Sequence, residues 1–357
     1  MAHLTKLLFV SIFVFFVASN MPCRVQGQPP VPPVPGVFVF GDSISDVGNN
    51  NELPTQSKAD YPPYGIDYYW GPTGRFTNGA TIVDVLAIYL GFKQVIPPVV
   101  NAKDIRQGVN YASGASGILE LSGKNLGANF SFKKQLAIHG ITISRLTAIM
   151  GSEAATRSFL NKCLYIVTSG SNDYLQNYYL PVSATRELYT PERFADLLIT
   201  EYSQRIRVLY GYGARKIALF GLGRIGCIPR YVMQSNGSCR EDINAAVRLF
   251  NDRLSALANE PNANLPDAKL TYINITGIQS GVASQLGLTV VDTACCPTER
   301  NGFCVRSSTP CGNRNEYLFF DEYHPTEVVN NATAAGAYDA GPMDASPYNI
   351  RTLAQLP

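Results

Sequence analysis

The stretch "VFVFGDSISDVGNNN", residues 37–51, decides how this chain is read. An apolar run, Val37–Phe40, breaks off at Gly41-Asp42-Ser43, and small and polar residues follow. A surface loop accounts for that composition. So does a nucleophilic serine held where a buried strand runs out.

Further apolar runs read as strands: Leu164–Thr168, Lys216–Phe220, Leu270–Asn274 and Tyr317–Phe320. They are rich in Val, Ile, Phe and Tyr and are bounded by Gly, Asn or Pro. Helical patterns fall between them at 80–91, 132–150, 191–213 and 240–259, with a last helix starting near Pro325. Pro191 suits a first helical turn, and glycines close that helix. Strand–helix alternation predicts an α/β fold, a parallel sheet covered on both faces. No internal repeat or linker divides residues 37–357, so one domain is expected.

Ligands of an open parallel sheet sit beyond the carboxyl ends of its strands. Three polar clusters fall at such ends: Gly41-Asp42-Ser43, "SGSNDY" (169–174) and "FFDEYHPTE" (319–327). The chain has three histidines, and His3 lies in the leader. A histidine base is therefore His139, inside a helical pattern, or His324. Asp321 precedes His324 by three residues, so a carboxylate can orient the imidazole from the same loop. By itself Asp-x-x-His better describes an exposed turn before a helix. Ser43 has a bland reading too, as the cap of a helix. The two are compatible, because a helix N-terminus favours developing negative charge. Asn172 offers a side-chain amide to an oxyanion, and a loop glycine such as Gly114 offers a backbone N–H.

Residues 1–27 read as a secretory signal: Lys6, an apolar run from Leu7 to Ala18, then small residues, with cleavage near Gly27. That run is short for a membrane span. "QPPVPPVPG" (28–36) reads as an extended, exposed spacer. The C-terminus carries no retention signal. Loss of Lys6 and Arg24 with the leader takes the formal charge from +2 to zero. A neutral chain without a basic run argues against a nucleic-acid partner.

Export makes disulfides the expected state of most cysteines. Cys227 and Cys239 flank a short loop and form one expected bridge. Cys295, Cys296, Cys304 and Cys311 are expected to form two more, with the pairing open; a zinc site is the alternative for that group. Cys163, in an apolar run, reads as a buried inert thiol. Sequons at Asn129, Asn236, Asn274 and Asn331 are candidate glycosylation sites.

Taken in order, "FGDSISDVGNNN", "VNYASGASGIL", "SGSNDY" and "DEYHPTE" resemble the four blocks of the GDSL-type SGNH hydrolases. "PPYGIDYYWGPTGRFTNG" (62–79) and "GLGRIGCIP" (221–229) are similar to the secreted plant GDSL esterase/lipase branch. The resemblance runs from about Val37 to Asn331. It implies a flavodoxin-like three-layer sandwich around a central parallel sheet and a carboxylic ester hydrolase needing no cofactor or metal. It implies Ser43 as nucleophile, His324 as base and Asp321 as its orienting acid. Gly114 and Asn172 then complete the oxyanion hole with the Ser43 amide, Gly117 being the rival to Gly114. The expected partner is an ester: a lipid, an acetylated polysaccharide or a small ester. The expected location is extracellular, in the apoplast of a plant.

Some positions depart from the family pattern: Ile44 for leucine, Phe320 for tryptophan, Arg224 for proline, and the segment around Trp70. The last is a candidate for altered substrate selectivity. "GLGRIG" (221–226) matches a dinucleotide-binding signature, but Cys227 and Pro229 interrupt the helix it needs. No Gly-x-Ser-x-Gly elbow occurs. Three rival functions share this sequence: acyl transfer through the same acyl-enzyme, carbohydrate or wall binding without turnover, and hydrolysis at a metal held by Asp321 and His324.

Overall fold

The computed structural model describes residues 32–259 and 265–357. The expected leader, with Cys23, and the first part of the proline-rich spacer lie outside the described residues. Val37–Gly41 (β1) is buried throughout and pairs in parallel with Gly108–Asn110 (β2) on one side. On the other side it pairs with Leu164–Thr168 (β3), in register from Val37 opposite Leu164 to Gly41 opposite Thr168. Lys216–Phe220 (β4) and Lys269–Ile273 (β5) continue the parallel sheet, and Ala345–Ser346 (β8) closes it antiparallel. The order β2-β1-β3-β4-β5-β8 is the flavodoxin-like arrangement with one added edge strand.

Side-chain alternation sends each strand into two cores. Phe38 and Phe40 of β1 pack with the helices at 132–150, 191–212 and 241–259. Val37 and Val39 pack on the opposite face with the helices at 82–89, 327–339 and 350–355. Each fully buried Phe or Val is worth about 1.5–3 kcal/mol over exposure, so register is strongly set. The long helices start where expected, with Ser131 and Thr190 as side-chain caps and Pro191 in the first turn.

Three expectations need correction. Tyr317–Phe319 (β7) is not in the central sheet; it pairs in parallel with Val290–Ala294 (β6) in a separate two-stranded ribbon. The spacer is not wholly exposed, because Val34 is fully buried in the second core. The helix Glu153–Lys162 was unexpected; only Thr156 and Leu160 on it are buried, so its apolar stripe is thin. Among the described residues no helix is long and apolar enough to cross a membrane.

Candidate active site

In this strand order the chain leaves β1 for one edge and returns to build the other side. The carboxyl ends of β1 and β3 therefore border the crevice where such folds bind ligands. Gly41 ends β1 beside Thr168, whose side chain would collide with any Cβ there. No helix follows. The carbonyl of Asp42 accepts from Ser45 and Asp46 N–H, and Asp42 Oδ1 accepts from Ile44 N–H at 3.1 Å, making a tight turn. Ser43 sits half-buried on this turn, so the helix-cap reading fails.

The asparagines after Ser43 tie that turn to the loop following β2. Asn49 donates to the carbonyls of Asn110 and Ala112, and Asn50 to those of Ser57 and Gly114. Asn110 donates in return to the Ser45 carbonyl. Loop composition and a held serine are thus the same observation.

The third cluster arrives from the far end of the chain. His324 Nε2 lies 2.7 Å from Ser43 Oγ. His324 Nδ1 lies 2.7 Å from Asp321 Oδ2 and 2.9 Å from Oδ1. Asp321 is fully buried, and its Oδ1 also accepts the Tyr323 and His324 amides at 2.8 Å. The rings of Phe76 and Phe303 stand against the imidazole. Sequence reading missed Tyr64, which donates its hydroxyl to Asp321 Oδ2 at 2.6 Å and accepts Cys304 N–H. Its place in "PPYG" was a signal of family, not of role.

Asn172 lies on the short turn after β3 and gives one amide hydrogen to the Ser116 carbonyl at 3.0 Å. The second is left for the crevice. Beside it, Asp173 accepts from Ile118 N–H, Leu119 N–H and Ser122 Oγ, fastening this turn to the loop that follows β2. Burial pushes the Asp173 carboxyl up to about 6 against those donors. Gly114 departs from expectation. Its N–H points away and donates to Asp46 Oδ2 at 2.8 Å. Asp46 also holds the Gly48 and Asn49 amides, and burial raises it to about 6. The Gly117 N–H, the alternative, meets no acceptor among the described residues, and a Cβ there would press on Asp173 Oδ2 at 2.6 Å.

Asp42 is buried directly behind the serine. Desolvation raises its carboxyl to about 7, opposed by the Ile44 amide and by His324. Its Oδ2 has no partner among the described residues.

The other histidine plays no part here. His139 is fully buried among Phe38, Phe40, Tyr111 and Tyr165, with Nδ1 2.9 Å from the Tyr111 hydroxyl. Burial pushes it down to about 3, so it stays neutral.

A cavity of about 130 Å³ opens on Ser43, Asn172 and His324, and its walls are mainly apolar, among them Ile82, Leu175 and Phe319. Trp70 is not on it; that side chain is 65% exposed and meets Tyr68 and Tyr69 edge to face. Phe320 is buried against Tyr64.

Disulfides join Cys227 to Cys239, Cys295 to Cys311 and Cys296 to Cys304. The second cluster therefore has no thiolate to offer zinc. Cys163 is free and buried, and burial raises its thiol. Of the sequons, Asn236 and Asn331 are exposed. Asn129 is buried with its amide donated to the Ala115 and Ser122 carbonyls, so it offers no acceptor for a glycan. Asn274 caps a short helix through Gly277 N–H.

Residues 37–336 match the family model described as GDSL-like Lipase/Acylhydrolase. The chain belongs to that family. It is 45% identical to the GDSL esterase/lipase At4g18970 of Arabidopsis thaliana over 97% of this chain and 99% of that one. It is 44% identical to At5g45670 of the same plant, covering 97% and 98%, and 43% identical to At1g29660, covering 99% and 100%. Both relatives are likewise named GDSL esterase/lipases. The membership accounts for the order of the four motifs around one crevice. The GDSL motif with Ile44 in place of leucine keeps an apolar side chain beside the serine.

Proposed function

We propose that the protein is a secreted serine esterase that cleaves carboxylic esters through an acyl-enzyme on Ser43. Ester hydrolysis is the reaction of the family to which the chain belongs. The observation that carries the mechanism is the 2.7 Å approach of Ser43 Oγ to His324 Nε2, with Asp321 on the other ring nitrogen.

Ser43 Oγ attacks the ester carbonyl while His324 takes its proton. The imidazolium that forms is held in place and stabilised by Asp321. His324 then gives the proton to the departing alcohol oxygen. Water repeats the sequence on the acyl-enzyme, releasing the acid and restoring the serine. The tetrahedral oxyanion takes hydrogen bonds from the Ser43 amide, the free amide hydrogen of Asn172 and the Gly117 amide. Gly114 has no such role, because its N–H is committed to Asp46. Export rests on the leader at 1–27 and agrees with three disulfides.

The test is hydrolysis of p-nitrophenyl acetate and butyrate by the purified protein and by Ser43→Ala. The variant is expected to lose several orders of magnitude in kcat. Equal rates would remove the serine hydrolase reading.

A further inference from the structure

The nucleophile and the oxyanion donors sit on three separate segments, and one buried side chain ties these together. β2 ends at Asn110, and the chain beyond it turns over to meet Asn172 through the Ser116 carbonyl. Past that point the ladder with β1 survives on one side only. Tyr111 and Ser113 N–H donate to the Val39 and Gly41 carbonyls at 2.8 and 3.0 Å. The Gly41 N–H, which a continued parallel ladder would pair with the departing strand, donates instead to Gln135 Oε1 at 3.0 Å. Gln135 Nε2 donates in return to the Gly41 carbonyl at 2.8 Å and to the Phe130 carbonyl at 2.7 Å, with Ser116 Oγ at 3.2 Å. The carboxamide stands in the ladder as the peptide group that β2 no longer supplies.

We infer that Gln135 is a positioning residue of the hydrolytic reaction, holding the Ser43 turn at a fixed distance from the oxyanion donors Asn172 and the Gly117 amide. The inference rests on the serine esterase reading above and on its oxyanion assignment. Three observations carry it. Gly41 stands two residues before Ser43, and its carbonyl also accepts Ser116 Oγ at 2.9 Å. The Ser116 carbonyl in turn accepts the Asn172 amide at 3.0 Å, so Gln135, Gly41, Ser116 and Asn172 form one string of hydrogen bonds. Gln135 and Ser116 are fully buried, which closes that string to solvent. Finally, Gln135 lies in the first turn of the helix at 132–150, whose Phe132 N–H donates to the Gly117 carbonyl at 3.1 Å. A single rigid element therefore grips both Gly41 and Gly117.

Gln135 is not among the residues that line the catalytic cavity. Its loss should leave ground-state binding of the ester alone and act on the step in which charge develops on the carbonyl oxygen. A displacement of about 1 Å between nucleophile and donors is enough to cost roughly 100-fold in rate.

Gln135→Met keeps the length of the side chain and removes all of these bonds. With the natural chain and Ser43→Ala as references, kcat for p-nitrophenyl acetate is expected to fall roughly 100-fold in Gln135→Met, with KM within about twofold. A trifluoromethyl ketone adds Ser43 Oγ to its carbonyl carbon, passes the serine proton to His324 and leaves an oxyanion. Its Ki is expected to rise by the same factor, while that of the matching methyl ketone holds. In Asn172→Ala protein the same change is expected to cost less than about tenfold, because one donor that it positions is gone. Equal costs in the two backgrounds, an unchanged kcat, or a raised KM at constant kcat would each overturn the inference, and loss of activity in Ser43→Ala would leave the esterase reading standing. Full activity in Ser43→Ala would instead strike that reading and this one with it. Should Gln135→Met fail to fold, Gln135→Glu decides. A protonated carboxyl accepts the Gly41 N–H and donates to the Gly41 carbonyl, whereas an ionised one cannot donate. The ratio of its kcat to that of the natural chain is expected to rise at least tenfold from pH 8 to pH 5, and a flat ratio overturns the inference.

Discussion

Tyr64 reaches across 257 positions of sequence to place its hydroxyl 2.6 Å from Asp321 Oδ2. The same oxygen faces His324 Nδ1, so the chain of contacts from Ser43 to Asp321 ends in a buried phenol. That phenol accepts the Cys304 amide, next to the Cys296–Cys304 disulfide. Tyr64→Phe keeps the packing and removes the donor. A hydrogen bond to a charged group is worth about 1.5–3 kcal/mol. Urea unfolding is expected to show a loss of that order, and kcat for p-nitrophenyl acetate is expected to fall while KM holds. An unchanged kcat would mean that Asp321 needs no help from the phenol.

Asp321→Asn separates orientation from reaction. The asparagine retains the shape but presents an amide to Nδ1, favouring the wrong tautomer for a base at Nε2. A fall in kcat of about 10³- to 10⁴-fold is expected. Steady-state rates with full activity retained would dismiss Asp321 as the orienting group.

How much of this was legible beforehand follows from the range of each interaction. The four parallel strands β1, β3, β4 and β5 are five-residue runs, and sequence shows them because burial on both faces leaves few polar positions, Thr168, Lys216, Lys269 and Thr271 among them. β2 and β8 have three and two residues, too short for any periodicity. Tyr317–Phe319 has strand composition, but composition does not say which sheet receives it. Ser43, Asp321 and His324 were legible because each closes a recognisable motif. Tyr64 was not, since its partner lies on another segment and nothing in "PPYG" points there. Gly114 and Gly117 could not be told apart without the Asp46 contact, a link 68 residues long that only folding creates.

Asn172→Ala tests the oxyanion assignment. Its side chain is anchored by the Ser116 carbonyl and leaves one amide hydrogen for a charge that exists only in the transition state. Removing such a donor typically costs about 100- to 1,000-fold in kcat with little change in KM. A rise in KM at constant kcat would assign Asn172 to ground-state binding instead.

Acid is expected to stabilise the protein between pH 7.5 and about 4.5. Asp42 is raised to about 7, and Asp46 and Asp173 to about 6, all by burial. Each raised carboxyl contributes stability that is fully present below its unfolded value near 3.8 and lost as pH rises through its folded value. His139 has the opposite sign: lowered to about 3, it costs stability as pH falls below its unfolded value near 6.5. Between pH 7.5 and 5 these three carboxyls outweigh His139, so Tm at pH 5 should exceed Tm at pH 7.5. Asp42→Asn should flatten the slope by up to about 1.4 kcal/mol per pH unit between 3.8 and 7. A Tm that falls on acidification over this range would show that the buried carboxyls are not held protonated.

The cavity at Ser43 also limits the acyl group. About 130 Å³ is slightly less than the ~150 Å³ that accommodates a benzene ring in a protein interior. Acetyl and butyryl groups fit against Ile82, Leu175 and Phe319 with their methylenes removed from water, at about 0.8 kcal/mol each. A palmitoyl chain must leave most of its length outside and gains nothing further. Across a p-nitrophenyl ester series, kcat/KM is expected to rise from acetate to butyrate and to drop at least tenfold by palmitate. A steady increase with chain length would show that the acyl chain finds further apolar wall beyond this cavity.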